Sequence, residues 1–164
     1  MDFNGYIKTK IVTLPELLHH REQARIKNKK VVFTNGCFDI IHLGHVDYLS
    51  KARDLGDMLI VAVNTDNSVR KLKGDLRPVQ NEISRSHTLA AFSFIDYVIL
   101  FDTPTPYELI KAIQPDILVK GADYKPEEIV GYDILKQTNG EVKTIEFLNG
   151  YSTTGIINKI LQKN

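Results

Sequence analysis

The sequence predicts an α/β fold: a Rossmann-like, doubly wound sheet of five parallel strands with an N-terminal helical extension. Three observations carry that expectation. Short apolar runs recur at 31–34, 58–63, 97–101, 117–119 and 142–147, continuous rather than alternating, as strands covered on both faces require. Segments with helical spacing or capping signals fall between them. A strand, a glycine-containing turn and a histidine pair at a helix start then follow one another from Val31 to His45, the order in which such folds build a ligand site at the carboxyl ends of their strands.

The elements follow in order. Thr13-Leu14-Pro15-Glu16 fits a capping box, in which hydroxyl and carboxylate each satisfy a free amide. Leu14, Leu17, Leu18 and Ala24 form a weak apolar stripe after it, and 27–30 is a basic turn. Residues 1–30 are therefore expected as a helical extension, packed on the main domain or on a second subunit, and 31–164 as that domain. After the first strand, Val46, Leu49, Ala52 and Arg53 keep helical spacing and Gly56 is the expected stop. Asn81 can cap a helix bearing Leu89, Ala90 and Phe92. Thr105-Pro106-Tyr107-Glu108 is read as a second capping box with proline at the first helical position, ended at Gln114-Pro115. Ser152 or Thr153 caps a last helix carrying Ile156, Ile157 and Ile160.

Composition narrows the class. The 164 residues suit one domain with a sizeable core. Twenty-one Lys and Arg against 20 Asp and Glu give a net charge of +1, which argues against a broad nucleic-acid surface. One cysteine and no zinc-spaced Cys/His cluster point to a reducing compartment. No apolar run approaches the roughly 18 residues of a membrane span, and residues 1–10 lack a secretory apolar core. A cytoplasmic protein with no membrane association is expected.

Three segments can meet at the carboxyl edge of such a sheet. In Thr34-Asn35-Gly36-Cys37-Phe38-Asp39, Gly36 is expected to make the tight turn that lets the following amides form an anion nest. His42-Leu43-Gly44-His45 comes next. Two imidazoles three residues apart at a helix start can both face an anion, the helix dipole favours negative charge there, and Gly44 lets the anion approach. The second segment, Gly150-Tyr151-Ser152-Thr153-Thr154, sets three hydroxyls at another helix start. The third runs from Asn64 to Arg85, and its part from Lys71 to Pro78 reads as a mobile cationic loop holding Lys71, Lys73 and Arg77. Cys37 has no evident partner base and is read as a small buried side chain. No P-loop and no G-x-G-x-x-G is present.

Taken together, these residues resemble the nucleotidyltransferase superfamily with an H-x-G-H motif, in its cytidylyltransferase-like branch, over 31–160. Class I aminoacyl-tRNA synthetases share a related histidine motif but are far longer and carry a lysine-rich signature missing here. Within the branch the chain is most similar to adenylyltransferase domains that act on D-glycero-β-D-manno-heptose 1-phosphate, through 33–39, 69–79, 116–131 and Ser152-Thr153-Thr154. In many members a ribokinase-like sugar kinase precedes this domain; here a short helical segment stands in that place, so the resemblance implies a separate kinase upstream. Glycerol-3-phosphate cytidylyltransferases usually carry an arginine shortly before the Ser-Thr segment, where this chain has Phe147-Leu148-Asn149.

The resemblance implies in-line attack of an acceptor phosphate on the α-phosphorus of ATP, or of CTP, with pyrophosphate leaving. The catalytic residues would be His42, His45 and Lys73, with Lys71 as the alternative cation. Thr34, Asn35, Gly36, Cys37, Phe38 and Gly44 would line the nucleotide's phosphates. Lys120, Gly121 and Asp123 would lie by the nucleoside, and Ser152, Thr153 and Thr154 would hold the outer phosphates. Arg77 and Arg85 would clamp the acceptor phosphate, as bidentate guanidinium recognition suits. Mg²⁺, or another divalent cation, is expected with Asp39 as its carboxylate. The expected acceptor is a sugar or polyol phosphate and the expected assembly a homodimer. Two alternatives stay open: a CTP:glycerol-3-phosphate cytidylyltransferase, and a nucleotide-binding module without turnover.

Overall fold

A computed structural model describes residues 2–122 and 125–162. Helix α1 (Phe3–Thr9) and α2 (Leu14–Ile26) precede the sheet. Then come β1 (Val31–Gly36), α3 (Leu43–Arg53), β2 (Met58–Asn64), α4 (Asp66–Lys73), α5 (Glu82–Ala90), β3 (Tyr97–Phe101) and α6 (Tyr107–Ile113). β4 (Ile117–Gly121), a 3₁₀ turn at Pro126–Glu128, α7 (Tyr132–Gln137), β5 (Glu141–Ile145) and α8 (Thr153–Leu161) complete the chain. The five strands are all parallel in the order β3-β2-β1-β4-β5. The winding reverses between β1 and β4, and the crevice at that reversal is where such sheets bind ligands.

Helices cover both faces of the sheet. Leu17 of α2, Ile110 and Ile113 of α6 and Leu135 of α7 pack against Phe33 and Ile60. On the opposite face Tyr48 and Leu49 of α3 and Leu89 of α5 pack against Val32, Val61 and Val98. Successive strand residues thus enter different cores, which is why the strand sequences are apolar throughout.

Residues 2–30 are part of this packing. Val12, Leu17 and Ala24 belong to the first core. Arg21, 5% exposed, donates to the Ile113 and Gln114 carbonyls and to Asp116. Backbone bonds from Val12 N to Val98 O (3.0 Å) and from Val98 N to Lys10 O (2.8 Å) extend the β3 edge. The Thr13 capping box forms as expected, its amide and hydroxyl both donating to Glu16.

Several expected elements differ. The second capping box does not form: α6 starts one residue later, with Pro106 at its N-cap and no side-chain cap. Lys71 and Lys73 lie in the last turn of α4 rather than in a loop, which begins at Gly74 with φ 90°. Helix α3 ends before Gly56; a Cβ on Gly56 would stand 2.7 Å from Val32 Cγ2 and 2.8 Å from Lys30 O, so its role is close approach to β1. α1, α7 and the 3₁₀ turn were not anticipated. Among the described residues no helix is long and apolar enough to cross a membrane.

Candidate active site

A cleft of about 770 Å³ opens at the carboxyl ends of the strands. β1 feeds its floor. Gly36 is the last residue of that strand, and the left-handed residue of the turn is Phe38 (φ 48°), not Gly36. The turn is nevertheless tight at Gly36, where a Cβ would lie 3.0 Å from the Phe38 ring. Cys37 is half-buried at the cleft wall, and burial pushes its thiol up in pKa, so it stays a neutral wall residue. Asn35, Gly36, Cys37 and Phe38 all line the cleft. Thr34 does not: it is fully buried, and its hydroxyl is spent on Tyr48 Oη at 2.8 Å.

His42 is the N-cap of α3 and His45 lies in the first turn, so both rings stand at the positive end of that helix dipole. The rings stack 3.8 Å apart at 21°. Burial lowers the pKa of His42, and burial plus the neighbouring His42 brings His45 down to about 4. Both imidazoles are therefore neutral at pH 7 when no anion is present. Their Nδ1 atoms and Asn35 Oδ1 are buried with no hydrogen-bond partner among the described residues, a concentration of unsatisfied polar atoms uncommon outside functional sites. Gly44 sits between the histidine motif and the far end of the chain: a Cβ there would meet the His42 ring at 3.1 Å and Tyr151 Cβ at 3.2 Å.

Ser152, Thr153 and Thr154 line the same cleft. Ser152 is the cap of α8, accepting from Gly155 N at 3.0 Å, and Thr153 Oγ1 reaches the Ile40 carbonyl at 3.4 Å. Lys120 and Gly121 enter from the end of β4. Asp123 lies outside the described residues. Lys73 lines the cleft, whereas Lys71 does not and acts electrostatically on Asp102.

Two assignments from the sequence are overturned. Asp39, expected on a metal, is 2% exposed and accepts from Arg77 Nε (2.6 Å) and from the Val79 and Gln80 amides (2.9 Å each). Burial works against its charge, but the amides of Gln80 and Val79 and the Arg77 guanidinium outweigh it and hold the carboxyl below the usual carboxylate range. With its oxygens filled it does not fit a cation, and no group of three His, Cys, Asp or Glu suited to a metal exists among the described residues. Arg85, expected on the acceptor, is fully buried. It donates to the Cys37 carbonyl (2.6 Å), the Gln80 carbonyl (3.0 Å) and Asp66 (2.7 Å), so it braces the turn after β1 from behind. Arg77, by contrast, does line the cleft.

Asn64, which opens the third segment, ends β2 and lines the cleft. Other walls carry no signal in the sequence. Pro106, Glu128 and Ile129 form the wall on the α6 side, and Phe147 and Tyr151 close the β5 side; nothing local marks them. Lys73, Arg77, the two histidines and the start of α8 thus line one cleft, an arrangement suited to a polyphosphate held by several donors.

Comparison with known proteins agrees with this geometry. The model of the cytidylyltransferase-like family matches residues 33–159. The "Bifunctional protein HldE" of Citrifermentans bemidjiense is 53% identical over 153 residues, 93% of this chain and 31% of that protein. The protein of the same name from Campylobacter jejuni subsp. doylei is 53% identical over 163 residues, 99% of this chain and 33% of its own length. The chain thus spans about a third of the curated relatives it matches. Among solved structures, a lipopolysaccharide core biosynthesis protein from Thermoplasma volcanium GSS1 superposes with a TM-score of 0.60 at 27% identity, covering 73% of this chain and 99% of its own. A pantoate-beta-alanine ligase from Francisella tularensis, with TM-score 0.61 and 16% identity over 93% of this chain and 77% of its own, shares the fold.

Proposed function

Because the chain belongs to the cytidylyltransferase-like family, we propose that it is a nucleotidyltransferase that moves AMP from ATP to heptose 1-phosphate, releasing pyrophosphate and giving ADP-heptose. The observation that carries this reading is the stacked His42–His45 pair at the start of α3, facing the same cleft as Lys73 and Ser152-Thr153-Thr154. An oxygen of the acceptor phosphate attacks the α-phosphorus, a new P–O bond forms, and the bond to the β-phosphate oxygen breaks. Both reactants are competent at neutral pH, so the protein supplies position and charge stabilisation. His42 and His45 donate to the α-phosphate as charge shifts toward the leaving group. Lys73 and the α8 start take up the pyrophosphate, Lys120 and Gly121 flank the nucleoside, and Arg77 meets the acceptor phosphate.

A divalent cation such as Mg²⁺ would arrive with the triphosphate, whose own oxygens supply its ligands; no residue of the described cleft is assigned to it. The heptose acceptor is supported by the resemblance of 69–79 and 116–131 and by relatives named HldE at about half identity. A sugar kinase would supply the acceptor, and the enzyme would work as a homodimer, which sedimentation of the purified protein tests. A pyrophosphate-release screen crossing ATP and CTP with heptose 1-phosphate and glycerol 3-phosphate tests the reaction. ATP with heptose 1-phosphate is expected to win. Preference for CTP with glycerol 3-phosphate overturns the substrate, and tight ATP binding without pyrophosphate release from any pair overturns the enzyme.

A further inference from the structure

The segment from Gly74 to Gln80, which joins α4 to α5, is held down by polar contacts rather than by apolar burial. Leu76 is 93% exposed and Val79 58%, and a Cβ on Gly74 would meet nothing within 4 Å. What fixes the segment on the cleft side is Asp39. Its carboxylate, 1% exposed, takes Arg77 Nε and the amides of Val79 and Gln80, side chain and main chain of the same loop. Arg85 holds the far end through the Gln80 carbonyl. Arg77 is bonded through Nε, and its two terminal nitrogens have no protein partner among the described residues, while the residue lines the cleft. A guanidinium is a rigid planar fork, so fixing Nε fixes the direction of the remaining donors.

We propose that Asp39 is a positioning residue that aims the free end of Arg77 at the phosphate of the acceptor. The proposal rests on the adenylyl-transfer reading for the identity of that phosphate. Asp39 touches no substrate; it sets the angle at which Arg77 offers a two-point grip, and a two-point grip depends on angle more than on charge. Losing the Asp39 anchor should therefore weaken the acceptor and spare the nucleotide.

The test is a cycle of D39N, R77A and the double variant, with ATP and acceptor varied separately in the pyrophosphate-release assay. D39N is expected to raise the acceptor KM on the order of 10-fold with the ATP KM within about twofold. R77A should do the same or more, and the double variant should be no worse than R77A. Additive effects, or a D39N effect falling on ATP, overturn the proposal. R77K keeps the charge and leaves Asp39 on both amides, so it guards against simple unfolding: it should keep the melting temperature yet raise the acceptor KM, and an unchanged KM overturns the proposal. Calorimetric binding of inorganic phosphate, with a non-hydrolysable ATP analogue present, separates the two readings. Non-additive loss of phosphate affinity without pyrophosphate release in the wild type sinks adenylyl transfer and keeps the Asp39–Arg77 unit. Robust turnover with additive losses does the opposite, and a wild type that binds no phosphate overturns the unit.

Discussion

Around the turn after β1, Asp39 of the turn, Thr34 of β1 and Arg85 of α5 are buried and each ends on named partners, whereas α8, at the same cleft, has no buried residue and meets this region through the Thr153–Ile40 bond and the Gly44–Tyr151 approach. β5, the strand before it, is an edge strand with exposed residues along both sides. Both regions bring donors to the same cleft. One is braced from behind by a network reaching α4 and α5; the other is lightly attached. A preorganised half suits groups that must meet developing charge without rearranging, and a loosely held half suits groups that close on a substrate and release a product.

The largest expected effects fall on the braced half. His42→Ala or His45→Ala should lower turnover on the order of 10²–10³-fold while circular dichroism shows an intact fold; turnover within a few-fold of wild type in both would place the charge stabilisation elsewhere. Arg85→Ala should cost about 3 kcal/mol in denaturant unfolding, because it strands Asp66 and two carbonyls behind the turn. A loss below about 1 kcal/mol would mean the brace is dispensable and the contrast with α8 false.

Ser152→Ala removes the cap of α8 and should cost at most about 1 kcal/mol, with its main effect a few-fold rise in ATP KM. A destabilisation equal to that of Arg85→Ala would show that α8 is as firmly built as the β1 turn. Stability also carries a pH dependence. His45 has a folded pKa of about 4 against an ordinary value of 6.5, so as pH falls below 6.5 the unfolded chain takes the proton first. Stability is complete above pH 6.5 and declines toward pH 4, read as a falling melting temperature. His45→Asn should flatten that decline, and an unchanged slope would contradict the burial of the ring. ATP binding between pH 5 and 6 should take up protons, visible as a buffer-dependent binding enthalpy.

The strands and the histidine motif were legible because their signals are local. Apolar runs mark strands buried on both faces, and a turn followed by two histidines lies within a dozen residues. α1 escaped because Phe3 and Tyr6 stay exposed and give no buried stripe. Lys71 to Lys73, the last turn of α4, reads as loop in the sequence because it is cationic and runs into Gly74, although lysines suit the negative end of a helix dipole. Asp39 and Arg85 were misassigned for another reason. A carboxylate beside a histidine motif suggests a metal and an arginine suggests an anion, but Asp39 is consumed by partners 38 to 41 residues away and Arg85 mainly by Asp66 and the Cys37 carbonyl, 19 and 48 residues away. Charge type is written in the sequence; who neutralises it is decided by the fold.

The near-contact at Gly44 has a consequence for how the two halves communicate. The first and last cleft-lining segments, separated by more than a hundred residues of chain, meet where an added methyl group would stand only 3.1 Å from one and 3.2 Å from the other. Any side chain at that point is a wedge acting on both at once, tilting an imidazole in one direction and the final helix in the other by a few tenths of an ångström. The gap between these two walls of the cleft is gauged by a missing atom.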